Sequence, residues 1–141
     1  MWARIRKRGD GSILYAFNTH WCVCGENDLF GSAQTAAQGI ADVRAAYGEA
    51  TAPAVLTGDL NVFAGGPQSK ALRYLTGENV DGKSSPVVFA DTYTGNEGSM
   101  GGSKIDFVLA TATAFSTRRS VVYPAESGSD HRAVGALLEV L

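Results

Sequence analysis

The 141-residue chain has only two histidines, and each lies in a short polar cluster. The clusters in order are Asn18-Thr19-His20, Gly58-Asp59-Leu60-Asn61, Lys104-Ile105-Asp106 and Ser129-Asp130-His131. Each adjoins an apolar run, which puts it at a strand end, where a rigid scaffold can hold reactive side chains. Asp59 and Asn61 are two apart and face the same side of an extended segment. One could accept a proton from water while the other donates to a phosphate oxygen, although Gly, Asp and Asn also make plain turns. Asp106 lies between Ile105 and Phe107, so alternation points it with Val108. A half-buried carboxylate needs a partner. Orienting a histidine is the functional reading, and a capped turn is the bland one. His131 follows Asp130 at the start of the last strand, where an exposed loop histidine is the plain alternative.

His20, Cys22 and Cys24 form a His-x-Cys-x-Cys run that would share one face of a continued strand. A structural zinc site wants four ligands, and there is no third cysteine, so a packed or exposed thiol pair is the better reading. A bridge across one intervening residue is expected to be strained.

These clusters need elements to position them. Residues 2–6 and 13–21 read as two strands of a hairpin, joined through a Gly-Asp-Gly turn signal at 9–11. After a polar loop at 25–31, Ser32 is the expected N-cap of a helix through about Tyr47, with Gly48 to end it. Ala54-Val55-Leu56 reads as a buried strand that delivers Thr57-Gly58-Asp59 at its end. A loop at 62–68 leads to a short helix at 69–75. Strands are expected at 87–89, 105–110, 120–123 and 133–141, with a polar loop at 126–130. The glycine-rich stretch 94–103 reads as a flexible loop that by position could shape substrate access.

Composition bounds the answer. Hydrophobic residues make up 45% and charged residues 18%, which is a folding chain of one domain. Twelve Lys+Arg against fourteen Asp+Glu give a net charge of -2, which argues against a protein held to nucleic acid mainly by a basic surface. A local phosphate site survives that test, because a bound metal can supply positive charge. No apolar run approaches the roughly 18 residues of a membrane span. The basic N-terminus has no apolar stretch behind it, so no signal peptide is expected and the compartment stays open.

Taken together and in order, the four clusters resemble the endonuclease/exonuclease/phosphatase superfamily, the deoxyribonuclease I-like fold. Its members show a strand ending in Asn-Thr-His, a Gly-Asp-hydrophobic-Asn motif, a basic-Ile-Asp-aromatic strand and a Ser-Asp-His turn. The resemblance covers nearly the whole chain but only the C-terminal half of a domain of about 250 residues. It implies an α+β fold, part of a four-layer β-sandwich flanked by helices, with residues 1–141 forming the C-terminal portion and the N-terminal half lacking. It also implies phosphoester hydrolysis with magnesium or manganese. Asp59 would activate water or help hold the metal, and Asp130 would contribute to the metal site. Asn61 and His20 would contact phosphate oxygens. Asp106 would orient His131, which would stabilise developing charge or assist proton transfer.

The family's early Asn and its metal-ligating Glu have no counterpart, and Glu26 and Glu49 lie in the wrong order to stand in. The resemblance therefore implies a truncated member with little or no activity alone. Its partner would be a missing N-terminal half or a second copy covering an exposed apolar sheet face. A non-catalytic remnant or phosphate-binding module is the competing reading. Substrates across the family include nucleic acids, inositol phosphates and phospholipids, and the acidic balance argues mildly against a large basic groove. The Trp21-Cys22-Val23-Cys24 stretch resembles some secreted members, in which the pair would be oxidised.

Overall fold

Alternating side chains build the first hairpin. Strand β1 (Trp2–Arg6) pairs antiparallel with β2 (Ile13–His20), placing Trp2 opposite Phe17 and Arg4 opposite Tyr15. Gly11 takes a φ of 75° in the turn, and the Asp10 carboxylate accepts the Ser12 N–H at 3.0 Å. The computed structural model describes residues 1–63, 69–93, 95, 97–125 and 128–141. Part of the expected loop at 62–68 and part of that at 126–130 therefore lie outside the described residues.

Helix α1 (Glu26–Ala46) starts earlier than expected, and Ser32 lies inside it rather than capping it. Its buried stripe explains the difference. Leu29 and Phe30 continue the row of Ala33, Ala37 and Ile40 by one more turn towards the N-terminus. Glu26 and Asp28 look like loop residues, but they sit in the first turn, where the helix dipole favours acids. Gly48 ends the helix as expected, with a φ of 69° and its N–H on the Ala45 carbonyl.

Strand β3 (Ala54–Asp59) returns parallel to β2. Helix α2 (Lys70–Leu75) follows, capped by Ser69, whose hydroxyl accepts the Leu72 N–H at 3.2 Å. Strands β4 (Phe89–Asp91) and β5 (Asp106–Thr111) complete a mixed sheet of order β1-β2-β3-β5-β4. Strands β6 (Phe115–Val122) and β7 (Val134–Val140) form a separate antiparallel ribbon, with an irregularity between Thr117 and Arg119.

One face of the five-stranded sheet is closed. Tyr15, Leu56, Phe107 and Leu109 pack there with apolar residues of α1 and α2. The other face carries Ala16, Val55 and Val108, which are only half-buried. The expectation of part of a four-layer β-sandwich is thus corrected. These strands build one mixed sheet with both helices on one side and a two-stranded ribbon beside it.

Candidate active site

Register places the site. On the face away from the helices, His20 pairs with Asp59 and Asp59 with Asp106, a row across three adjacent strands. The row depends on Gly58. Its φ is 139°, and a Cβ there would overlap the Thr19 carbonyl oxygen, so only glycine allows this close approach. Past the row, Trp21 N–H donates to the Asp59 carbonyl at 3.0 Å. Asn61 N–H donates to Asp59 Oδ1 at 2.9 Å, and Asn61 Nδ2 donates to the Trp21 carbonyl at 2.7 Å. The ends of β2 and β3 are thereby tied together, and Asp59 Oδ2 is left facing outward.

His131 arrives from the turn before β7. Its Nδ1 lies 2.8 Å from Asp106 Oδ2. An ionised Asp106 accepts the Nδ1–H, which leaves Nε2 directed at Asp59 Oδ2, 3.9 Å away. His20 Nε2 approaches the same oxygen at 3.5 Å, with its side chain 74% exposed. The Asp106 hydrogen bond raises the His131 pKa above the usual histidine value. Partial burial opposes this, and the charges of Asp106, Asp59 and Asp130 add to it.

The structure therefore brings together His20, Asp59, Asp106 and His131. Asn61 is not aimed outward with Asp59. It adopts a φ of 50°, is 8% exposed and spends its amide on Trp21. Asp130 is exposed, and among the described residues it lies outside the ligand group described below. Glu26 and Glu49 are both elsewhere. Glu26 accepts the Lys70 N–H, while Arg4 and then Tyr15 hold the Glu49 carboxyl well below its usual range. Cys22 and Cys24 are joined in a disulfide, so neither is a thiolate free for zinc, and the bridge expected to be unfavourable does form.

Two residues do more than the sequence reading assigns: Lys104, named in a cluster but given no partner, and Ser99, not singled out. Lys104 is 8% exposed, with its ammonium on the Asp91 carboxylate and the Tyr93 carbonyl. Burial lowers its pKa, and Asp91 counters that. A lysine opening an apolar strand was the available signal, since a cation there requires a partner. Ser99 is fully buried, and nothing in a glycine-rich stretch marks it.

Asp59, Asp106 and His131 each offer a ligand atom, all within 4.8 Å of one another. The donor chemistry fits a divalent cation. Among the described residues, Asp59 Oδ2 is approached by the two imidazoles, and magnesium characteristically takes one or two protein carboxylates plus water and substrate phosphate.

The Endonuclease/Exonuclease/phosphatase family model matches residues 4–131. The chain is similar to an endonuclease/exonuclease/phosphatase of Bacteroides vulgatus, at 26% identity and a TM-score of 0.77 over 99% of this chain and 54% of that one. A mannosyl-6-phosphatase of Bacteroides thetaiotaomicron aligns at 19% identity and a TM-score of 0.70, over 98% of this chain and 55% of that one. The human Nocturnin catalytic domain with bound sulfate aligns at 12% identity and a TM-score of 0.75, over 99% and 52%. These last two show the fold alone. The chain spans about half the length of the solved structures it matches. No curated protein matches it.

Two expectations are corrected by these findings. Confinement of the family match to a C-terminal half is corrected by a family model that matches from residue 4 to 131, nearly the whole chain. The doubt about enzymatic character, drawn from an absent Glu, is overturned by the ligand group of Asp59, Asp106 and His131. A cross-strand row of His20, Asp59 and Asp106, a histidine docked on its last carboxylate, and a family match over nearly all its length lead to one conclusion: this chain belongs to the endonuclease/exonuclease/phosphatase family.

Proposed function

We propose that the chain is a metal-dependent phosphoester hydrolase acting on a phosphodiester or phosphomonoester. The observation that carries this reading is the convergence of Asp59 Oδ2, His131 Nε2 and His20 Nε2 at the open end of the sheet. Phosphoryl transfer asks for placement of water and neutralisation of oxygen charge more than for covalent chemistry. Asp59, with Asp106 beside it, would hold magnesium or manganese, which when bound supplies charge neutralisation and a more acidic water. Asp59 accepts a proton from the attacking water or shares in holding the ion. Asp106 fixes the tautomer and direction of His131. His131 donates from Nε2 to a phosphate oxygen, helped by its raised pKa. Exposed His20 contacts a second oxygen. One similar structure is a mannosyl-6-phosphatase, so sugar phosphates belong among the substrates to assay.

The test is hydrolysis of a generic phosphodiester and a phosphomonoester by the purified chain, with magnesium or manganese, beside Asp59→Ala and His131→Ala. The expected result is turnover that needs the ion and falls about 100-fold or more in either variant. No turnover in the parent, or turnover unchanged in both variants, overturns the proposal.

A further inference from the structure

We propose that Ser99 is a positioning residue that sets the Asp106–His131 pair. Its value to catalysis rests on the hydrolase reading above. Asp106 opens β5 and His131 lies 25 residues later, before β7. Those strands belong to different sheets, so no ladder among the described residues fixes one against the other. Yet the pair meets at 2.8 Å.

The link is the glycine-rich segment. Ser99 is wholly buried, and its hydroxyl oxygen accepts the N–H groups of Ile105 at 3.1 Å and Asp106 at 3.0 Å. Its carbonyl accepts the Arg132 N–H at 2.6 Å. One residue thus grips the backbone on the Asp106 side with its side chain and on the His131 side with its main chain. The neighbours reinforce the grip. Met100 bridges to His131, and the Arg132 guanidinium returns to the Gly98 carbonyl at 3.3 Å and to Glu97 at 3.1 Å. At Gly98 a Cβ would overlap the backbone of Gly102 and Ser103, so the fold-back of this segment requires glycine there. Lys104 pins the far end on Asp91. The described part of the expected flexible loop is therefore a clamp. Without the Ser99 hydroxyl, two inward-facing N–H groups lose their acceptor, and the start of β5 must shift to find another.

The readout is the His131 Nδ1–H proton in NMR of the full chain, labelled with nitrogen-15 histidine. With two histidines, a His20→Gln sample assigns it. Asp106→Asn gives the spectrum of a broken pair. Ser99→Ala is expected to lose the hydrogen-bonded signal or move it upfield towards that spectrum. Thr92→Val removes another hydroxyl bond to the same strand, Thr92 Oγ1 to the Val108 carbonyl at 2.8 Å, and should leave the signal in place. Gly98→Ala keeps the Ser99 hydroxyl but displaces the segment, and should act like Ser99→Ala. It serves as the deciding variant if Ser99→Ala does not fold. A parent-like signal in the folded Ser99 or Gly98 variant overturns the proposal, and so does an equal loss in Thr92→Val. An intact, Ser99-dependent signal in a chain that hydrolyses nothing would sink the hydrolase reading and leave the positioning role standing.

Discussion

On β5, Phe107 is 1% exposed, while its neighbours Asp106 and Val108 stay partly open to solvent. The same contrast runs through β2 and β3, so the sheet has two unlike faces. Towards α1 and α2 the strands present Tyr15, Leu56, Phe107 and Leu109, none more than 2% exposed. That face is held by packing. Towards the other side they present small or β-branched apolar residues and then, in one register, His20, Asp59 and Asp106. That face is held by hydrogen bonds and positions charge. Because strand side chains alternate, both faces hang on the same pairing, and a slip of one residue would exchange them.

The contrast can be broken or sharpened in three ways. The largest effect is expected at Gly58, where both faces share one close backbone approach. Gly58→Ala should cost on the order of 3–5 kcal/mol or prevent folding, as read by denaturant unfolding. A variant with parent-like stability would show that the β2–β3 register does not need glycine. Next come two adjacent substitutions on β5. Phe107→Ala should cost about 3–5 kcal/mol, while Val108→Ala, on the open face, should cost about 1 kcal/mol or less. Similar losses would mean that the open face is packed like the closed one. The smallest effect is the pH dependence of the Asp106–His131 pair. Its folded-state pKa is raised above the usual 6.5, so its stabilisation is fully present below that value. It is lost as pH rises through the folded value. The melting temperature of the parent relative to Asp106→Asn should therefore be higher on the acid side than in alkali, by a contribution under about 1 kcal/mol. A constant difference across that range would remove the pair from the ledger.

Much of this was legible in residue order. The hairpin, the end of α1 at Gly48, the short helix near 69–75 and the strand that delivers Asp59 follow from local patterns. Alternation places Asp106 only with Val108, and it is the family resemblance that points to His131 as its partner. Asn61 shows where local rules stop. The two-residue period assumes extended backbone, and its φ of 50° breaks that period and turns the side chain inward to Trp21. The start of α1 was hidden because Glu26, Asn27 and Asp28 are loop formers until Leu29 and Phe30 find the core. Lys104 at the head of an apolar strand announces that it needs a partner but not which one, and nothing local announces the partners of Ser99.

The Cys22–Cys24 bridge closes a ring around a single intervening residue. In the chain-entropy account, a cross-link stabilises in proportion to the freedom it removes from the unfolded chain, and so small a ring removes little. What the bridge governs is a direction of travel. It sits between Trp21, whose peptide groups hold the ends of Asp59 and Asn61, and Gly25, from which α1 departs. Thiol exchange would act at this corner, where the helix leaves the row and Cys24 packs against the core.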